Sequence, residues 1–202
     1  MSSTSGSAWC SSRTATLAGL IALSIAGTAP AAGAVFHSRS EALGLAFPDA
    51  DRIERKSFVL TEVQKQAVEE QSRAPLDSQL VTVYTAHGPE GPIGYALIDI
   101  HRVRTMNEAL LVVLGNNGRV RSLRLLAFHE PPEYMPPPRW LEQFEERSSE
   151  DSLRVRGDIH AIAGATLSTR AVTRAVRRSL ALFQVLIAPN THTTPSPQKK
   201  DE

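Results

Sequence analysis

Beyond its first 34 residues the chain shows helical spacing of apolar positions first, then alternation, then helical spacing again. Residues 37–45 (HSRSEALGL) form a short helical pattern that Pro48 closes. Thr61 then stands three residues before Gln64, a capping box ahead of VQKQAVEEQ. Val63, Ala67 and Val68 share one face of that helix, Gln, Lys and Glu occupy the other, and Pro75 bounds it.

The centre reads as strands. Residues 79–86 (QLVTVYTA) alternate, residues 87–92 read as a turn, and residues 93–101 (IGYALIDIH) return. Residues 108–114 (EALLVVL) run into Gly115-Asn116-Asn117-Gly118, and residues 120–127 (VRSLRLLA) follow, which predicts an antiparallel hairpin. Pro131, Pro132, Pro136, Pro137 and Pro138 then impose a stiff loop, because each fixes φ and lacks a donor. Pro138 suits the first turn of a helix whose apolar face is Trp140, Leu141 and Phe144, and residues 148–156 read as polar and irregular. Residues 167–187 make a long last helix, with Ala171, Val172, Ala175, Val176, Leu180, Phe183, Leu186 and Ile187 as its stripe. Arg170, Arg174, Arg177 and Arg178 lie largely opposite and read as a solvated face, and Pro189 stops the helix. The fold class is α+β: a mostly antiparallel sheet with flanking helices and a long C-terminal helix.

Composition adds a compartment. Lys plus Arg number 22 and Asp plus Glu 21, a balance that supplies no bulk attraction to nucleic acid. Residues 1–34 hold one charge, Arg13, followed by an apolar run and then Ala32-Gly33-Ala34, a small-x-small cleavage pattern. The segment reads as a signal peptide, or as an N-terminal anchor where it is kept, so the expected location is periplasmic or extracytoplasmic, at the inner membrane if anchored. The single cysteine, Cys10, lies inside it, so the cleaved chain has no thiol for disulfides, thiolate metal sites or nucleophilic catalysis.

The candidate chemistry lies at residues 159–168 (IHAIAGATLS), where small residues and a hydroxyl run straight into the long helix. A helix start presents unsatisfied N–H groups and the positive end of the dipole, which suits a phosphate. Gly164 and Ala165 let the backbone approach a ligand, and Thr166 stands at the phosphate position. The competing reading, which spacing alone favours, is an ordinary capped start with Thr166, Ser168 or Thr169 bonding the first N–H groups. Trp140 reads as core with Phe144, and His101-Arg102-Val103-Arg104 as a surface loop, with a pocket wall as the alternative. His129-Glu130-x-x-Glu133 has superficially zinc-like spacing, but the prolines forbid the helix that spacing needs.

Gly164-Ala165-Thr166 followed by Leu-Ser-Thr-Arg-Ala-Val resembles the flavinylation motif of the FMN-binding domain family, roughly Asp-x-x-(Ser/Thr)-Gly-Ala-(Thr/Ser). That family includes subunits of the sodium-pumping NADH:quinone reductase and of the Rnf complex. The motif's Asp falls here on His160 and its Ser/Thr on Ala163, with Asp158 two residues earlier. Gly94-Tyr95, the Gly-bearing hairpin, the Phe-His-Glu-Pro-Pro-Glu-Tyr loop and the Trp-Leu-x-x-Phe helix extend the likeness, which is nearest to small exported stand-alone members.

The resemblance implies an exported electron-transfer protein with FMN esterified to Thr166 by a separate flavin transferase, which uses FAD and a divalent metal. It places Gly164, Ala165, Leu167, Ser168 and Glu130 at the cofactor, with Glu130 accepting from a flavin N–H or positioning neighbouring backbone. It divides the chain into a signal peptide (1–34), an N-terminal helical segment (35–78), an FMN-binding domain (79–187) and a disordered tail (188–202). The implied partners are an unidentified redox donor and acceptor, with the membrane as one place to meet them, and the chain is a carrier rather than a self-sufficient enzyme. The alternatives are a cofactor-free binding or scaffold module of the same fold, and a flavin reductase, against which stands the lack of a G-x-G-x-x-G fingerprint.

Overall fold

The continuous apolar run of residues 109–114 needs cover on both faces, and it receives it in the central strand β5 (Asn107–Leu114). In the structure, a computed structural model that describes residues 34–191, Leu110, Val112 and Leu114 of this strand join one core and Leu111 and Val113 the other. The expected signal segment up to residue 33 and the tail from residue 192 lie outside the described residues.

The remaining strands are β1 (Ala34–Val35), β2 (Arg52–Val59), β3 (Leu80–Gly88), β4 (Gly91–Arg102) and β6 (Val120–Phe128). They form one antiparallel sheet in the order β1-β6-β5-β4-β3-β2, so β2 to β6 is a meander and β1 adds to the far edge beside β6. The turn between β5 and β6 depends on Gly118 at φ +74, where an added Cβ would stand 2.6 Å from the Phe183 ring.

The sequence pattern missed β2, and the reason is physical. The strand RIERKSFV lies at the sheet edge with only Ile53 and Phe58 partly buried, so it carries no apolar alternation. Its charges instead guard an open edge.

Helix α1 (Arg39–Ala46) starts at a Ser38 capping box and packs Ala42 and Leu43 over one sheet face, with Phe47 beside them. The Thr61–Gln64 capping box is present and opens α2 (Glu62–Ser72). On the other face α2 lies beside the long helix α4 (Thr166–Leu186), whose Val172, Ala175, Val176, Leu180 and Phe183 fill the larger core. The helix after the proline loop is shorter than its pattern implies. It consists of one α turn, α3 (Pro138–Leu141), that tightens into a 3₁₀ turn ending at the fully buried Phe144. A last short turn, α5 (Ala188–Thr191), follows α4.

Two arginines depart from the solvated face expected of α4. Arg178 reaches down to Asp99 on β4 at 2.6 and 2.8 Å, with only 11% of its side chain exposed. Arg177 donates to the carbonyls of Ser152 and Leu153. Leu153 is itself 1% exposed in a left-handed conformation, so the segment expected to be merely polar contains a core anchor. Arg170 and Arg174 do face solvent. No helix among the described residues is long and apolar enough to cross a membrane.

Candidate functional site

The N-terminus of α4 is built open. Gly164 takes φ +78 with nothing near its Cα substituent position, so its role is conformational. Ala165 is the N-cap and supplies no side-chain cap. The hydroxyl nearest to a capping role is that of Thr169, and it is committed elsewhere. Thr169 Oγ1 accepts the N–H of Ile162 at 3.0 Å and donates to the carbonyl of Ala165 at 3.2 Å, which locks the Gly164 turn onto the helix. Thr166 is half-buried at the first helical position. Ser168 is 1% exposed, and its Oγ has no hydrogen-bond partner among the described residues.

These residues line one cleft of about 220 Å³, whose wall is residues 164–168, Val103, Arg104, Glu130 and Tyr134. The pocket-wall alternative therefore holds for Val103 and Arg104, while His101 is buried and is not part of the wall. Leu167 stands 45% exposed and Met106 46%, an apolar pair on the elements that frame the cleft.

Glu130 is 6% exposed and braces the wall. Its Oε1 accepts the backbone N–H groups of Arg104, Thr105 and Met106 at 3.0, 2.5 and 2.7 Å. Desolvation opposes its charge, but these N–H donors and the Thr105 hydroxyl outweigh it and hold the carboxyl below its ordinary value. Of the two roles implied for Glu130, the geometry supplies the positioning of backbone, since this oxygen is already occupied.

The strand-like segment before the turn is held by two residues that spacing did not single out for this task. Trp140 Nε1 donates to the carbonyl of His160 at 2.8 Å while its ring meets Phe144 edge-on. Gln143 Oε1 accepts the N–H of His160, also at 2.8 Å. Trp140 is thus only partly core, and Gln143 had no signal beyond its place in the short helix. Asp158 is exposed and accepts from the Ser152 hydroxyl and the Arg154 N–H. His160 and Ala163, the two departures from the motif, both present exposed side chains.

Size alone does not mark the site. A larger cleft of about 580 Å³ lies between the end of α2 and the C-terminal half of α4, bounded by Arg73, Arg177 and Gln184, and includes none of the α4 N-terminal residues.

An uncapped helix start with an orphaned buried hydroxyl, beside a carboxylate-braced wall, is an arrangement that can take a phosphate group. Residues 107–181 match the FMN-binding domain family and form an FMN-binding domain, which makes FMN the cofactor. The match takes in β5, β6, the proline loop and most of α4, and so contains Glu130 and residues 164–168. No curated protein matches the chain. The residues fit the phosphate end of FMN: among the described residues Ser168 Oγ has no hydrogen-bond partner and the start of α4 has no side-chain cap, and Gly164 leaves the approach open.

Proposed function

We propose that the protein is an exported electron carrier in which FMN is esterified to Thr166. The observation that carries this reading is the conjunction of the half-buried Thr166 with the uncapped start of α4 and the orphaned Ser168 hydroxyl in one cleft. At about 220 Å³ the cleft is smaller than the roughly 300–1,000 Å³ of most ligand pockets. It therefore suits the phosphate end of FMN, and Leu167 and Met106, both exposed, would offer apolar surface to a ring or to a partner protein. The isoalloxazine supplies the redox chemistry; the chain binds it, orients it and limits its contact with water.

Attachment is a phosphoryl transfer. Thr166 Oγ1 loses its proton and forms an O–P bond to the flavin-side phosphorus of FAD on the transferase, and AMP leaves. Because His160 and Ala163 are exposed, their departure from the motif bears on what a transferase reads rather than on the fold. A tethered cofactor suits an extracytoplasmic compartment, where free FMN is not resupplied. The partners on this reading are the transferase, a redox donor and a redox acceptor, one of them at the membrane.

Intact-mass measurement of protein exported from cells that also express a flavin transferase tests the reading. A mass raised by FMN less one water, located to Thr166 by peptide fragmentation, supports it. An unmodified mass with FMN released on denaturation limits the protein to a non-covalent carrier, and an unmodified, colourless protein points to the cofactor-free module.

A further inference from the structure

A buried polar cluster on β4, β5 and α4 lies outside the residues that line the cleft. On β4, Asp99 Oδ1 lies 2.8 Å from His101 Nδ1, and Arg178 of α4 grips both oxygens of Asp99. An ionised carboxylate only accepts, so His101 carries hydrogen on Nδ1 and turns Nε2 toward Glu108, its register partner on β5. Nε2 and Glu108 Oε2 are 3.8 Å apart, too far for a direct hydrogen bond. Glu108 is 0% exposed and neither of its oxygens has a partner among the described residues, and the same is true of His101 Nε2.

Arg178 and Asp99 cancel in charge, so the number of protons on His101 and Glu108 sets the charge of the whole cluster. Burial, with the Asp99 charge adding to it, pushes the Glu108 carboxyl up to about 8. Glu130 and His129 follow Phe128, the register partner of Glu108 on β6. Glu130 is bound to the 103–106 backbone, and His129 has Nδ1 3.0 Å from the carbonyl of Asn107. Arg174 on α4 turns back to the carbonyl of Arg170.

This pair sits at the neck of the β4–β5 hairpin, whose tip supplies Val103 and Arg104 to the cleft. Val103 also packs with Phe128, the partner of Glu108 on β6, and with Ala171 on α4, all buried. Charge on either side of that apolar layer is weakly screened. We propose that His101 and Glu108 are a redox-linked proton site, which takes up one proton when the flavin held in the neighbouring cleft gains electrons. The inference rests on the flavin reading given above.

The balance is simple. Electrons come from a reductant, a donor protein in the cell and dithionite in the test. The proton comes from solvent, reached at the edge of His101, which is 8% exposed while Glu108 is closed off. An N–H or O–H bond forms on the pair, no heavy-atom bond breaks, and reoxidation returns the proton. By linkage, a proton on the pair must make the flavin easier to reduce to the same extent that reduction tightens the proton.

The test is a redox titration of the flavin-loaded protein at pH values on both sides of 8, for the wild type and for Glu108→Gln, with His101→Gln as a second variant. The wild-type midpoint potential should show one more proton per flavin across that range than Glu108→Gln, and His101→Gln should shift or remove the same inflection. Superimposable pH profiles for all three, with flavin bound, overturn the inference while leaving flavin binding intact. A second readout needs no flavin. The infrared spectrum of flavin-free wild type minus Glu108→Gln should contain the band of a protonated carboxyl at neutral pH, and its absence also overturns the inference. Protein that shows this band yet takes up no FMN overturns the flavin reading and the coupling with it.

Discussion

The hydroxyl of Thr169 accepts the backbone N–H of Ile162 at 3.0 Å, so a residue in the first turn of α4 holds the loop that precedes the helix rather than capping it. That choice leaves the helix start free for an anion. Thr169→Val keeps the shape and strands the Ile162 N–H, which should cost about 1–3 kcal/mol. Thermal unfolding reads the loss, and the flavin content of the purified protein should fall with it.

Glu130 gives a second prediction at the opposite wall. Glu130→Gln replaces a charged acceptor of three N–H groups and should cost about 1.5–3 kcal/mol, as for hydrogen bonds to charged groups. The folded carboxyl lies below its ordinary 4.5, so its stabilisation is complete above that value and is lost as pH falls through the lowered one. Acid unfolding followed by circular dichroism should therefore show a shallower acid limb for the variant.

Arg178 and Asp99 are a buried pair, and breaking one is costly because the partner is left uncompensated. Arg178→Gln should destabilise the fold by about 3–5 kcal/mol. Burial alone would raise the Asp99 carboxyl, yet His101 and Arg178 bring it from 3.8 down to about 2. Its contribution is present above 3.8 and disappears as pH falls toward 2, so the variant should begin to lose structure at a higher pH than the wild type.

Glu108 has the opposite sign. Its folded value of about 8 exceeds the ordinary 4.5, so the folded state binds the proton more tightly and stability declines as pH rises from 4.5 to 8. Glu108→Gln should flatten that decline and be the more stable protein at pH 8. Denaturant midpoints measured across this interval test it, and a wild-type midpoint that rises with pH would contradict it.

Periodicity made most of this fold legible. Helical spacing marks the first helix, the capping box at Thr61 marks the start of α2, and the stripe through Val172, Val176 and Phe183 marks α4. The strands with apolar faces, β3 to β6, could be read directly. β2 could not, because an edge strand with charged side chains on both faces leaves no two-residue pattern. The helix after Pro138 reads longer than it is because Phe144 continues the apolar spacing through a change to 3₁₀ geometry.

The site was legible where local chain geometry makes it, at Gly164 and Thr166, and much less so where tertiary contacts do. The Glu130 brace joins residues 26, 25 and 24 apart in the chain, and Arg178 meets Asp99 across 79. Arg178 looked solvated because its position on the helix lies off the apolar stripe, yet the sheet offers it a buried carboxylate. Gln143 carried no signal because its role is to accept one backbone N–H.

The central claim is the ester at Thr166, and one measurement tests it most directly. The protein is exported from cells containing a flavin transferase, denatured, run on a gel and viewed under ultraviolet light, beside Thr166→Ala and Thr166→Ser. The account predicts a fluorescent wild-type band, no fluorescence from Thr166→Ala, and a band from Thr166→Ser, which keeps the acceptor hydroxyl. A dark wild-type band, or fluorescence that persists in Thr166→Ala, would contradict it.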